Sequence, residues 1–100
     1  METFGWAIKQ MQNGERVSRA GWNGKGMWLV LVPATPNCAL RKGTPYHTAL
    51  NRASPGEDPA AIESVTINAH IDMFTVTGEM QPGWLASQTD MLATDGGVVE

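Results

Sequence analysis

The chain has 100 residues, with 7 Lys and Arg against 10 Asp and Glu, and a formal net charge of -3. This length is typical of one domain, and the charge leaves no broad basic surface for a nucleic-acid backbone, so we expect no DNA or RNA partner. A core of this size is thin, which makes association with further copies a ready way to bury more apolar surface.

Cysteine content and apolar run lengths bear on compartment and membrane association. The single Cys38 excludes an internal disulfide. The N-terminal residues lack the basic and apolar regions of a signal peptide, and the longest apolar run, residues 27–32, falls far short of the roughly 20 residues that span a bilayer. We therefore expect a cytoplasmic protein without a membrane partner.

The first third of the chain predicts a helix followed by two strands. Thr3 is a good N-cap, and apolar residues recur after it at helical spacing, which predicts a helix over residues 4–13. Residues 16–19 and 27–32 have strand character. A glycine-rich loop over residues 21–26 must turn tightly between these two strands.

The middle of the chain differs in composition from both ends. Five of the six prolines lie between Pro33 and Pro59, and no apolar period is sustained there. We predict a single domain over residues 1–100 that carries a long excursion at about 33–64. At most a short strand or turn, near residues 46–50, interrupts this excursion.

Regular structure is expected again toward the C-terminus. Residues 65–67 and 70–76 predict strands, the second with Ile71 and Met73 on one face. A short helix is predicted over residues 86–93, ended by the glycines at 96–97. Together these elements predict an α+β fold, a small antiparallel sheet with an N-terminal helix and a short C-terminal helix, covered on one side.

Catalytic and metal chemistry find little support in the residues. His47, His70 and Cys38 share no recognised ligand spacing, so we expect no metal and no cofactor. Nothing in the sequence brings Asp72 and Asp90, or Asp95, to a working separation for acid–base chemistry. We expect a protein that is not an enzyme, with a hydrolase using Asp72 or Asp90 as the enzyme alternative.

The Gly21–Gly26 loop has the residue types of a nucleotide site. Trp22 can stack on a planar base, and the amide of Asn23 can both donate to and accept from a base edge. The amide of Gly24 and the charge of Lys25 suit an anionic group. A glycine-rich turn in which Trp22 only caps the core is equally compatible with these residues.

The segment from Gly83 to Asp90 places polar side chains beside an aromatic residue, and its candidate binding residues are Gln88, Thr89 and Asp90. By themselves these residues favour another interpretation, in which Ser87 or Thr89, together with Asp90, caps the helix that follows.

Three stretches carry a resemblance to a known family: residues 16–27, residues 70–73 and residues 83–93, the last containing GWLASQTDMLA. They resemble a family of small phage and prophage proteins that includes the Thoeris anti-defense proteins of the second type. The resemblance implies a cytoplasmic sponge that binds a cyclic ADP-ribose isomer, glycocyclic ADP-ribose, and withholds it uncleaved from the Thoeris effector. It also implies a homotetramer with pockets between protomers and, in some members, a second pocket for CBASS cyclic dinucleotides.

The resemblance also suggests roles for particular residues. Trp22 and Asn23 resemble the aromatic and amide that hold the adenine end, and residues 88–90 resemble polar partners of the base or ribose. Donors to the pyrophosphate would be the loop amides, Lys25, and Arg16 or Arg19. Residues 94–97 depart from the family pattern, where an acidic residue and a tryptophan often follow the last helix.

Two points stay open on the sequence alone. Residues that could serve a second, cyclic-dinucleotide pocket lie in the excursion, namely Arg41, Lys42, Asn51 and Ser54. A structural or protein-interaction module of a phage is the alternative to the sponge, since exposed Trp and Met side chains could contact a protein.

Overall fold

The computed structural model describes residues 1–22 and 25–100, and its first element is the predicted helix, α1 (Phe4–Gln12). The Thr3 hydroxyl accepts a hydrogen bond from the Trp6 N–H at 3.3 Å, as an N-cap does. The chain leaves the helix at Asn13 and passes through Gly14 at a φ of 87°, which favours glycine. Both ends of α1 therefore follow from local sequence.

Two compact units make up the chain, the first formed by Met1–Pro33 with Ala69–Glu100 and the second by Ala34–Asn68. The first unit contains a five-stranded antiparallel sheet with the strand order β6-β5-β2-β1-β7. Its strands are β1 (Arg16–Arg19), β2 (Trp28–Val32), β5 (His70–Phe74), β6 (Met80–Gln81) and β7 (Gly96–Val99). The predicted α+β fold with an antiparallel sheet is confirmed.

The core of this unit lies between α1 and one face of the sheet. Ala7 and Met11 of α1 are buried together with Val17 of β1 and Leu29 of β2. Partly buried apolar residues pack around these four, among them the predicted pair from β5, Ile71 and Met73. The core is small, in keeping with the length of the chain.

The C-terminal segment corrects the prediction that the glycines at 96–97 only end a helix. Gly96 begins β7, which pairs along the whole of β1. Gly96 also exchanges two backbone hydrogen bonds with Glu2, at 3.0 and 3.1 Å. A Cβ at position 96 would lie 3.1 Å from the Glu2 carbonyl oxygen, so this close approach of two backbones favours glycine.

The helix before β7, α3 (Gln88–Met91), is shorter than the predicted range of 86–93. Strand β5 ends at Phe74 instead of residue 76, because the chain turns back there: the Thr75 N–H donates to the Glu79 carbonyl at 2.7 Å. For these two elements the type was predicted correctly, while the ends differ by a few residues.

The second unit shows that the predicted excursion is folded. Strands β3 (Thr35–Ala39) and β4 (Ser64–Ile67) pair antiparallel, and α2 (Pro45–Leu50) lies between them in sequence. A helix thus replaces the expected short strand or turn near residues 46–50. Its physical basis is Pro45 in the first turn, where a missing N–H costs no hydrogen bond and the fixed φ suits a helix.

Asn51 closes the loop that follows α2. Its amide donates to the carbonyl oxygens of His47 and Ile62, at 2.9 and 3.0 Å, and accepts from the Ile62 N–H at 2.7 Å. The side chain of Asn51 is therefore already used in holding this unit together.

Among the residues described, no helix has the length and apolar character needed to cross a membrane.

The buried methionine of α1 tests the core. We expect Met11→Ala to lower the free energy of unfolding by about 2–5 kcal/mol, because Met11 is 2% exposed and its removal leaves a cavity. Met80→Ala is the matched control, since Met80 is 47% exposed and should change stability by less than about 1 kcal/mol. Urea denaturation of both variants measures the difference, and equal losses would contradict this account of the core.

Candidate ligand-binding site

An ion cluster joins three segments that are distant in sequence. Arg19, the last residue of β1, donates from Nη1 to Asp90 Oδ1 at 2.7 Å and from Nε to Asp95 Oδ1 at 2.9 Å. All three side chains are mostly buried, with 16–22% of their surface exposed. We call Arg19, Asp90 and Asp95 the Arg19 clasp.

The clasp also fixes the backbone just before Trp22. Asp95 Oδ2 accepts from the Gly21 N–H at 2.7 Å, and the Asp95 carbonyl accepts from the Ala20 N–H at 3.0 Å. A Cβ at position 21 would lie 2.8 Å from Asp95 Oδ2, which explains the glycine. These two hydrogen bonds hold the short 3-10 turn Ala20–Trp22 through the backbone N–H groups of its first two residues.

Asp90 serves the clasp and the start of α3 at once. Its Oδ2 accepts from the Ser87 hydroxyl at 2.8 Å and the Ser87 N–H at 3.2 Å, while the Ser87 hydroxyl accepts from the Asp90 N–H. This reciprocal pair is a capping box. The helix-capping interpretation of the GWLASQTD segment is therefore correct for Ser87 and Asp90.

The clasp keeps its carboxylates ionised. Burial alone would raise the pKa of Asp90, but hydrogen bonds from Arg19 and Ser87 outweigh it and hold that pKa below 3.8. The pKa of Asp95 is lowered by the hydrogen bond from Arg19 and by the Gly21 N–H. Hydrogen bonds to Asp95 and Asp90 in turn raise the pKa of Arg19, so the guanidinium stays charged.

A second polar cluster anchors the start of the Gly83–Asp90 segment. The buried carboxylate of Asp72 lies 2.8 Å from His70 Nδ1 and accepts from the Gly83 N–H at 2.8 Å. Burial acts to raise the pKa of Asp72, yet these hydrogen bonds give a net lowering. Next to it the Trp84 N–H donates to the Ile71 carbonyl at 2.7 Å. Asp72 is therefore a structural anchor.

Trp22 borders two cavities of the first unit. It is half-buried and packs against the core, as the core-capping interpretation predicts. The cavity on its core side has a volume of about 30 Å³, which is room for about one water molecule, and is lined by Phe4, Trp84 and Asp90 among others. This cavity is too small for a nucleotide.

The other cavity is a groove of about 220 Å³ that we call the Trp22–Trp28 groove. It is lined by two indoles and two cationic side chains, together with smaller and apolar residues: Trp22, Trp28, Arg19, Lys25, Ser18, Gly26, Met27 and Val99. Aromatic faces suit a planar ring and a lysine suits an anion. The groove is smaller than the roughly 300–1,000 Å³ usual for ligand pockets.

The predicted site residues fall into three groups. Trp22 and Lys25 both line the groove. Asn23 and Gly24 lie outside the described residues. Gln88 and Thr89 are exposed on α3 and line neither cavity, and Asp90 borders only the small cavity from within the clasp.

Sequence reasoning missed Asp95 as the partner of Arg19, and it missed Trp28 as a groove wall. The position of Trp28 could have been predicted, because strand alternation puts Trp28 on the face opposite to buried Leu29. Within the described part of the chain, no group of three metal-binding side chains occurs.

Fold and groove together define a small α+β protein with a candidate site for a planar, anionic ligand. The Thoeris anti-defense 2-like domain matches residues 2–99, and the chain belongs to this family. It is also similar to the protein Thoeris anti-defense 2 of Bacillus phage SP01, with 28% identity over 97 residues that cover 97% of this chain and 93% of the relative.

The lowered carboxylate pKa values make stability depend on pH. An unfolded Asp binds protons at a higher pH than Asp90 or Asp95 does in the fold, so the stability they give is present above about pH 4 and lost as pH falls further. We expect Arg19→Gln to lower Tm by about 5–10 °C at pH 7, and we expect this difference in Tm from the parent to narrow as pH falls below about 4.

Scanning calorimetry from about pH 3 to pH 7 measures this convergence. Arg52→Gln is the matched control, because it removes the same charge from an exposed position outside the clasp. Parallel pH profiles for the parent chain and Arg19→Gln would show that Arg19 does not set the acid sensitivity.

Proposed function

We propose that this protein counters Thoeris defense by sequestering a cyclic ADP-ribose-type signal, glycocyclic ADP-ribose, without cleaving it. Membership of the Thoeris anti-defense 2-like family supports the biological setting. The observation that carries the chemistry is the Trp22–Trp28 groove, which is lined by the indole of Trp22 and by Lys25, with the Arg19 clasp fixing the backbone just before Trp22. The setting proposed for this activity is the cytoplasm of the phage's host.

Trp22 and Lys25 match two parts of such a ligand. An indole face stacks on adenine, a contact of about 1–3 kcal/mol per base, and the lysine ammonium pairs with the pyrophosphate. Because the chain carries a net charge of -3, an anion must be drawn by local cations and amides. Sequestration at a sub-micromolar Kd needs a binding free energy of more than about 8 kcal/mol. Because Trp22 and Lys25 supply only part of this, further contacts are required.

A neighbouring copy is the proposed source of those contacts, within a homotetramer. The groove of one chain is smaller than a usual ligand pocket, and Gln88 and Thr89 are exposed on α3 with polar groups free of hydrogen bonds to described side chains. Beside them Leu85 and Leu92 are 89% and 79% exposed. Large apolar side chains exposed together suit a protein–protein contact.

Binding without cleavage agrees with the state of the carboxylates. A general acid must be protonated near neutral pH, whereas the pKa values of Asp72 and Asp90 are both lowered. Their oxygens also accept hydrogen bonds from Gly83, Ser87 and Arg19. The lowered pKa values weigh against either residue as the general acid of a hydrolase, which supports the proposal.

We further propose that the second unit takes CBASS cyclic dinucleotides, whose phosphates Arg41 and Lys42 would meet. Both residues are exposed, and the ion pairs of the described residues include neither. The Asn51 amide is engaged with His47 and Ile62, so it does not belong to this proposed site.

Ligand release tests the main proposal. We expect the purified protein to deplete glycocyclic ADP-ribose from solution and to return it intact after heat denaturation, as measured by mass spectrometry. Trp22→Leu should lower retention at least about ten-fold, because leucine keeps an apolar side chain but lacks a stacking face. Trp6→Leu is the matched control, since Trp6 packs on the same core and borders neither cavity.

Other outcomes identify the alternatives. Recovery of linear ADP-ribose would show turnover and support a hydrolase. Failure of the nucleotide to raise Tm, with stable capture of a host protein through the Leu85 and Leu92 surface, would support a protein-interaction module.

A further inference from the structure

The face of the sheet opposite to the core carries an aromatic pair. Trp28 of β2 and Phe74 of β5 are direct cross-strand partners, and their rings stack with centroids 4.9 Å apart and planes 12° from parallel. Both side chains are half-buried. Since Trp28 also lines the Trp22–Trp28 groove, one edge of this pair reaches the candidate site.

Arg16 of β1 lies on the other side of Trp28. Its guanidinium carbon is 5.2 Å from the centre of the indole, in cation–π contact. Its cross-strand partner on β7 is Val99, which lines the groove as Trp28 does. Arg16 does not itself line the groove, but it covers the ring of Trp28 and pairs with Val99, and both of these residues do.

The two arginines of β1 differ in their electrostatic partners. Arg19 is paired with two carboxylates, while the ion pairs among the described residues do not include Arg16. A cation–π contact at a partly exposed site holds a guanidinium less firmly than a bidentate, charge-assisted bond to phosphate does. Arg16 can therefore exchange the indole for an anionic ligand at little cost, and Arg19 cannot.

We propose that Trp28 and Arg16 form a second wall of the site, in which Arg16 binds a phosphate group of the ligand and uncovers the Trp28 ring for a planar group. The inference rests on the proposed function, because it assigns additional residues to the same groove. It gives the pyrophosphate two cations from separate parts of the chain, Lys25 in the Gly21–Gly26 loop and Arg16 on β1. It also assigns stacking to both indoles of the groove.

Two variants test whether Arg16 and Trp28 bind the ligand or only support the fold. Arg16→Gln removes the charge and keeps a polar side chain, and Trp28→Leu removes the ring and keeps an apolar one. Titration calorimetry with glycocyclic ADP-ribose should give a Kd raised about ten-fold for each. Arg16→Gln should also make Kd less sensitive to salt between about 0.05 and 0.5 M, because one charge pair with the ligand is lost.

Two control variants make the same kinds of substitution at positions that do not line the groove. Lys9→Gln removes one positive charge from the exposed surface of α1, and Phe74→Leu removes the stacking partner of Trp28 without touching the groove lining. Both should bind with a Kd within about two-fold of the parent chain. Thermal melts of all four variants verify that the fold is retained.

Four results would overturn the inference. One is an unchanged Kd and an unchanged salt dependence of Kd for Arg16→Gln. Another is a loss of affinity for Phe74→Leu as large as that for Trp28→Leu, because the loss would then come from a disturbed sheet. If the parent chain binds and only Trp22→Leu loses affinity, this inference fails while the proposed function stands. If the parent chain binds no nucleotide, both fail.

Discussion

The bond between Arg19 and its two carboxylates is the constraint on which the candidate site depends. Asp90 and Asp95 lie 71 and 76 residues from Arg19 in sequence, and the clasp brings both to the end of β1. Through Asp90 it fixes the start of α3, and through Asp95 it fixes the backbone before Trp22. A partly buried network of this kind is costly to break in part, because each group left behind loses its compensation.

The clasp also determines which charges remain for a ligand. A chain with a net charge of -3 has few cations to offer an anion, and Arg19 is neutralised by two aspartates. Lys25 lines the groove and Arg16 covers the ring of Trp28, and neither cation takes part in an ion pair of the described residues. Arg19 therefore acts in the fold, and the proposal assigns the other arginine of β1, Arg16, to the ligand.

The two faces of the sheet have separate tasks. Val17 and Leu29 face α1 and form the core, while their neighbours along the strands, Ser18 and Trp28, line the groove. Alternation along a strand is enough to produce this division. The core remains thin, and large apolar side chains beside α3, such as Leu85 and Leu92, stay exposed in one chain. Both features fit a protein that associates with further copies.

The sequence by itself determined α1 and the strands β1, β2, β4 and β5, because periodicity and glycine placement are local signals, and it singled out Trp22 and Lys25, which line the groove. Only the tertiary structure decided that Asp90 and Asp95 pair with Arg19. It also decided that Gly96 begins a strand against β1 and Glu2. Finally, it decided that Gln88 and Thr89 do not line the groove. The reason is physical. Hydrogen bonds between residues more than 70 positions apart depend on how elements pack, and no local propensity encodes that packing.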